Sequence, residues 1–159
     1  MKIRKANADD IASMMSLARA SVTAARWTEQ QYRELLSPAA KVHRLAIVAE
    51  AAPEVLNPSA PQKGLLGFLV ARFLTPECEL ENIVVSPAAR RTGIGKRLLD
   101  ALLQAARETN NAAVFLEVRE SNHEARAFYE HVGFKLDGRR KSYYFNPSED
   151  AILYRLAVD

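Results

Sequence analysis

The segment Val84-Val85-Ser86-Pro87-Ala88-Ala89-Arg90-Arg91-Thr92-Gly93-Ile94-Gly95-Lys96-Arg97-Leu98-Leu99 passes from an apolar run through a basic, glycine-bearing turn into a helical pattern. At such a junction free backbone N–H groups converge with the positive end of a helix dipole, and glycines let a phosphate approach the main chain. The implied chemistry is anion binding. Arg90, Arg91, Lys96 and Arg97 add long-range attraction, although any one of them can equally face water. The kind of phosphate ligand is narrowed by what stands between the glycines. A nucleotide-hydrolysing loop requires glycine at position 90 and serine or threonine at 97, where Arg90 and Arg97 occur. A dinucleotide fingerprint requires a third glycine where Leu98 stands. What remains is R-x-x-G-x-G, carried by Arg90, Gly93 and Gly95. Cys78 lies between Glu77 and Glu79, whose charges should raise its pKa and blunt it as a nucleophile. His43, His123 and His131 show no metal-ligand spacing, so no metal site is expected.

These residues need a scaffold, and the patterning supplies one. Lys2 to Ala6 reads as a first strand, and Asp9 or Asp10 can cap a helix with Ile11, Met14, Met15 and Ala18 on one face, ending near Ala20. Thr28 with Gln31 forms a capping box for a second helix through Tyr32, Leu35 and Leu36, stopped by Pro38. Arg44 to Ala51 and Leu65 to Phe73 read as strands, joined by a proline-bearing loop from Ala51 to Gly64. Glu79 to Val85 is a further strand. A helical stripe of Ile94, Leu98, Leu102 and Ala105 then runs to about Asn110. Ala113 to Arg119 returns to strand, Asn122 caps a helix ending at Gly133, and 134–145 with 151–158 form a closing strand pair. The alternation predicts an α/β or α+β fold with a mixed sheet, in a single domain over residues 1–159.

Downstream of the basic turn come Leu116-Glu117-Val118 and N-x-x-A-x-x-x-Y-x-x-x-G-F, on Asn122, Ala125, Tyr129, Gly133 and Phe134. Together with Arg90, Gly93 and Gly95, this constellation resembles the GNAT superfamily of N-acetyltransferases, over a core from about Glu79 to Phe134. The resemblance extends to Val158 and is closest to the bacterial ribosomal-protein-alanine N-acetyltransferases. It runs through Asn82-Ile83-Val84-Val85, Leu116-Glu117-Val118-Arg119, Arg139-Arg140, Tyr143-Tyr144 and Glu149-Asp150-Ala151. It implies a mixed, mostly antiparallel central sheet of about six to seven strands with about four helices. It also implies acetyl-CoA as the cofactor, with coenzyme A as product. Ile83, Val84 and Val85 would lie along the acetyl and pantetheine arm. Arg90, Arg91, Thr92, Gly93, Ile94, Gly95 and Lys96 would hold the pyrophosphate, and Asn122 would touch the pantetheine region. Glu117 would be the general base, Tyr129 the general acid, and Trp27, Tyr143 and Tyr144 would bind the acceptor.

The chemistry of the acceptor agrees with these roles. An α-amine has an unperturbed pKa of about 7.7–8.0, so a carboxylate acting through water suffices as proton acceptor, and a phenol can protonate the departing thiolate. Direct attack then requires no covalent enzyme intermediate. Each residue also has a plainer reading. Tyr129 shares a helical stripe with Ala125, Phe128 and Val132, where a tyrosine is ordinarily core. Glu117 interrupts an apolar strand and could be a structural carboxylate paired with an arginine. Glu79 and Glu81 are rival bases, Glu79 standing eleven residues before Arg90, as in the histone-type members of the superfamily. The family's usual turn is shorter than the stretch from Ala51 to Gly64, and Ala25-Arg26-Trp27 stands where it often has an aromatic-proline-tryptophan run.

The 159 residues are 48% hydrophobic and 26% charged, which fits a globular chain rather than a disordered one. A charged N-terminus and the lack of a long apolar run predict a chain that is neither exported nor embedded in a membrane, and a lone cysteine fits the cytoplasm. A net charge of +3 is too small to require a polyanion, and Arg139-Arg140-Lys141 makes only a thin case for direct nucleic-acid binding. The expected activity is transfer of an acetyl group from acetyl-CoA to a protein or peptide N-terminus, such as that of a ribosomal protein. Two alternatives stay open: a small amine as acceptor (a polyamine, amino acid or antibiotic), and a non-catalytic acyl-CoA-binding module, which would not need Glu117 or Tyr129.

Overall fold

The structure is a computed structural model that describes residues 1–52 and 64–158. Its elements are β1 (Lys2–Lys5), α1 (Ile11–Ala20), α2 (Glu29–Leu35), β2 (Arg44–Glu50), β3 (Leu65–Leu74) and β4 (Glu77–Val85), then α3 (Ile94–Glu108), β5 (Ala113–Arg119), α4 (His123–His131), β6 (Lys135–Tyr144) and β7 (Glu149–Ala157). The seven strands form one sheet in the order β1-β2-β3-β4-β5-β7-β6. Every pairing is antiparallel except β4 with β5. The expected mixed, mostly antiparallel sheet is present. Of the loop expected between Ala51 and Gly64, residues 53–63 lie outside the described residues.

Period-two alternation feeds two cores from the same strands. In β2, Ile47 and Ala49 face the side where α3 and α4 pack, with Leu98, Leu102 and Tyr129. Ala46 and Val48 face the other side, where Ile11, Met14 and Ala18 of α1 meet Tyr32 of α2. The capping box on Thr28 and Gln31 is in place, with Gln31 N–H donating to Thr28 Oγ1 at 3.2 Å and Thr28 N–H to Gln31 Oε1 at 2.7 Å. At α1 the expected cap on Asp9 or Asp10 is replaced. Asn7 caps a single 3-10 turn over Ala8–Asp10, and Asp10 makes no capping bond to α1. The reason is a stronger partner: Arg4 Nη1 donates to the buried Asp10 carboxylate at 2.7 Å.

Strand β4 begins at Glu77, two residues before the expected start at Glu79, which buries Cys78 fully. Within β4 the register against β3 jumps from Val70↔Asn82 to Ala71↔Leu80, so Glu81 is the extra residue of a bulge. The bulge swaps faces. Cys78 and Leu80 lie on the α3 side before it, Ile83 and Val85 after it, and Val84 joins the α1 side. The parallel pairing with β5 runs only from Glu77↔Ala113 to Glu79↔Phe115, after which the two strands part. That divergence opens the cleft.

Candidate active site

The cleft holds about 1520 Å³ and lies between the C-terminal halves of β4 and β5, the turn before α3, the α4 helix, the 21–27 segment and the end of β6. Arg91 and Gly93 both have positive φ, of 62° and 84°, so the chain turns sharply before α3 begins. The first α3 amide to find a carbonyl is that of Arg97, on Gly93 O at 3.1 Å. The amides of Ile94, Gly95 and Lys96 are therefore left pointing out of the helix start. At Gly95 a Cβ would come within 3.3 Å of the Phe128 ring and 3.8 Å of Val85 Cγ2, so a side chain would fill the throat between α3, α4 and β4. Free amides, a glycine-kept opening and the basic side chains of Arg90, Arg91 and Lys96 fit a diphosphate. Beside them the Ile83–Val85 stretch has lost its β5 neighbour, leaving strand edge for an extended arm.

All but one of the residues expected to form the site line this cleft. Ile83, Val84, Val85, Arg90, Arg91, Gly93, Ile94, Gly95, Lys96, Asn122, Glu117, Tyr129, Trp27, Tyr143 and Tyr144 do so. Thr92 does not; its hydroxyl donates to Ala89 O at 2.6 Å and closes the turn instead. Asn122 caps α4 by accepting the Ala125 amide at 3.2 Å, which leaves its NH₂ group for a ligand.

Glu117 projects from β5 on the face opposite Leu116 and Val118, and forms an ion pair with Arg140, Oε1 to Nε 2.9 Å. The structural ion pair and the position in the cleft thus coexist in one residue. The Tyr143 hydroxyl is pushed above its ordinary value, first by hydrogen bonding to Glu117 and then by that carboxylate's charge. The Tyr144 phenol is pushed up to about 12, first by burial and then by Glu117 and Tyr143. Arg119 lies over the Tyr144 ring at 4.3 Å and Arg140 over Tyr143 at 5.5 Å, so each tyrosine is fixed by a cation.

Tyr129 is buried to 7% exposure against Phe128, Phe134 and Tyr154, so it is a core tyrosine as well as a cleft residue. Burial is the main cause that holds its hydroxyl above the ordinary phenol value, and Tyr144 adds to it. The phenol therefore stays protonated at neutral pH. Glu79 and Glu81 also reach the cleft but are held by arginines, with Arg72 Nε donating to Glu79 at 3.1 Å and Arg44 Nε to Glu81 at 2.7 Å. The Cys78 thiol is pushed up to about 12, mainly by burial, with Glu79 and Glu81 secondary. The direction is the expected one, but the main cause is enclosure in the core rather than flanking charge.

Sequence reasoning missed Arg140 as the partner of Glu117, and Arg119 and the 21–24 segment as cleft-lining residues. The pairing of Arg140 with Glu117 had no local signal, because β6 reaches β5 only through β7. Among the described residues no group of three or more His, Cys, Asp or Glu could hold a metal ion, and no helix is long and apolar enough to cross a membrane.

A family model described as the Acetyltransferase (GNAT) family matches residues 13–134. The chain is 36% identical over 106 residues to the ribosomal protein bS18-alanine N-acetyltransferase of Escherichia coli strain K12, covering 65% of this chain and 72% of that relative. The crystal structure of Ard1 from Thermoplasma volcanium matches with a TM-score of 0.80 at 28% identity, over 99% of this chain and 97% of the other. The crystal structure of the Escherichia coli ribosomal-protein-S18-alanine N-acetyltransferase matches with a TM-score of 0.76 over 99% of this chain and 94% of the other; at 24% identity it speaks for the fold.

Proposed function

Because the chain belongs to the GNAT acetyltransferase family and is an acetyl-CoA-dependent N-acetyltransferase, we propose that its acceptor is the N-terminal α-amine of a protein, with a ribosomal protein as the first candidate. A cytoplasmic location and a single catalytic domain belong to the same proposal. The observation that carries it is the arrangement around Glu117: a carboxylate beside Tyr143 and Tyr144, in a cleft that Trp27 and the β4 edge freed from β5 also line.

Acetyl-CoA supplies an activated thioester to the cleft. The amides of Ile94, Gly95 and Lys96, with Arg91, hold the diphosphate, and the edge of β4 from Ile83 to Val85 lines up the acyl arm. A β4 N–H there polarises the thioester carbonyl. Glu117 takes the proton of the incoming amine through a water. The amine nitrogen forms its bond to the carbonyl carbon as the carbon–sulfur bond breaks. Tyr129 gives its proton to the departing sulfur and regains one from solvent. Tyr143 and Tyr144, steadied by Arg140 and Arg119, hold the acceptor backbone so that the amine approaches in line.

The test is mass spectrometry of short peptides and small amines after incubation with acetyl-CoA. A mass gain of one acetyl group, mapped to the α-amine of peptides with a small first residue, is the expected outcome. Acetylation of a polyamine in preference to every peptide would overturn the proposal.

A further inference from the structure

Asn82 sits in β4 between the bulge residue Glu81 and Ile83. It is 7% exposed, it lines the cleft, and its Nδ2 is buried without a hydrogen-bond partner among the described residues. A buried carboxamide left unpaired is costly, and the strand has apolar residues at Leu80, Ile83, Val84 and Val85. A strand built only for packing would carry valine or leucine at 82 as well. Among the described residues Nδ2 has no partner to fix it, so a half-turn about the last torsion can present either the donor or the acceptor end to the cleft.

The face of β4 decides which ligand it meets. Asn82 is two residues from Val84, which packs on the α1 side, and alternation puts both side chains on that face. Trp27 packs against the same cluster. Glu117, opposite in sense to Leu116 and Val118, points to that side too. Ile83 and Val85 point the other way, Val85 toward Gly95 and the anion-binding turn. Asn82 therefore belongs with the residues that face the acceptor.

A carboxamide offers one donor and one acceptor, and the peptide unit after an acceptor's first residue offers a carbonyl oxygen and an N–H. We infer that Asn82 binds the first peptide unit of the acceptor, with Nδ2–H donating to its carbonyl or Oδ1 accepting its N–H. The inference rests on the N-terminal reading and makes Asn82 one of the residues that select a peptide.

The test compares the wild-type enzyme with Asn82→Leu and Asn82→Ser, using a short peptide with an N-terminal alanine as acceptor. Asn82→Leu keeps the volume and removes the amide; its KM for the peptide should rise about tenfold, the effect of one lost hydrogen bond. Its Kd for acetyl-CoA, measured by calorimetry, should stay within about twofold, and its Tm should not fall. Asn82→Ser, which keeps a hydroxyl donor, should raise KM less. A peptide KM unchanged in both variants while the wild type acetylates the peptide overturns the role of Asn82 alone. A matching loss of acetyl-CoA affinity also overturns it, by moving the amide to the cofactor side. Failure of the wild-type enzyme to acetylate any peptide overturns the N-terminal reading and this inference with it.

Discussion

Arg140 Nε lies 2.9 Å from Glu117 Oε1, across a strand pair that separates the two residues by β7. Arg140 is half exposed, whereas the Glu117 side chain is 13% exposed, so the pair is anchored at the carboxylate and loose at the guanidinium. Arg140 is thus a positioning residue for Glu117.

Arg140→Ala should therefore lower kcat/KM for the peptide by about fivefold, the scale of a partly exposed ion pair. Glu117→Gln should cost about 10²–10⁴-fold. The double variant should lose little beyond Glu117→Gln, the remainder being the hold of Arg140 on the Tyr143 ring, because its main action is through the carboxylate. Additive losses in the double variant would give Arg140 a role of its own.

Gly93 and Gly95 should fail for different reasons. A side chain at Gly93 is strained by φ of 84° with no neighbour in the way, while one at Gly95 meets Phe128 at 3.3 Å. Gly93→Asp and Gly95→Asp should each weaken acetyl-CoA binding by about tenfold or more, since both also bring a negative charge to an anion site. Calorimetry showing unchanged affinity in both would remove the basis for the site.

The elements of this fold were legible because their signals are local. The capping box at Thr28, the apolar run of β2 and the stripe of α3 each lie within one segment, and all three stand where expected. The cleft-lining residues followed from motifs on β4, α3, β5 and α4. What was not legible depends on pairing across the sheet. The β4 bulge at Glu81 shows only in the register with β3, and the grip of Arg72 and Arg44 on Glu79 and Glu81 needs β2, β3 and β4 side by side. The cap at α1 was misplaced because Arg4, six residues upstream, draws the Asp10 carboxylate away from the helix. Thr92 looked like part of the anion site only because it lies between Arg91 and Gly93.

Tyr129 is held protonated by burial, so its titration should not limit the reaction below about pH 10, the ordinary phenol value. In the wild-type enzyme kcat/KM should rise through the amine's pKa of about 7.7–8.0 and hold level to about pH 10. Tyr129→Phe should lower that plateau by about 10²–10⁴-fold with acetyl-CoA affinity preserved. Full activity in Tyr129→Phe would leave protonation of the sulfur to water.

The β6–β7 hairpin that carries Tyr143 and Tyr144 is tied down by two carboxylates whose pKa values are lowered. Glu149 is lowered first by hydrogen bonding from Ser121 and then by Arg119, and Asp150 by the Ser142 amide and then by Arg139. A lowered folded-state pKa gives stability that is present above the unfolded values, about 4.3 for Glu and 3.9 for Asp, and is lost as pH falls through the folded ones. The amide resonances of Ser121 and Ser142 should titrate with midpoints below those values. Midpoints at the ordinary values would mean that the two bonds do not hold the hairpin.

Acetylation of a peptide N-terminus is tested most directly by kcat/KM for three acceptors under one set of conditions: a short peptide with a small first residue, the same amino acid free, and spermidine. Tyr143 and Tyr144 line the cleft beside Glu117 and can hold a peptide backbone, which neither of the other two acceptors offers. The peptide should be acetylated at least about tenfold more efficiently than the free amino acid, because backbone contacts beyond the first residue orient the amine. Replacing both tyrosines by phenylalanine should erode that preference. A higher kcat/KM for spermidine than for every peptide would contradict an N-terminal acceptor while leaving the acetyl-CoA site and the family assignment intact.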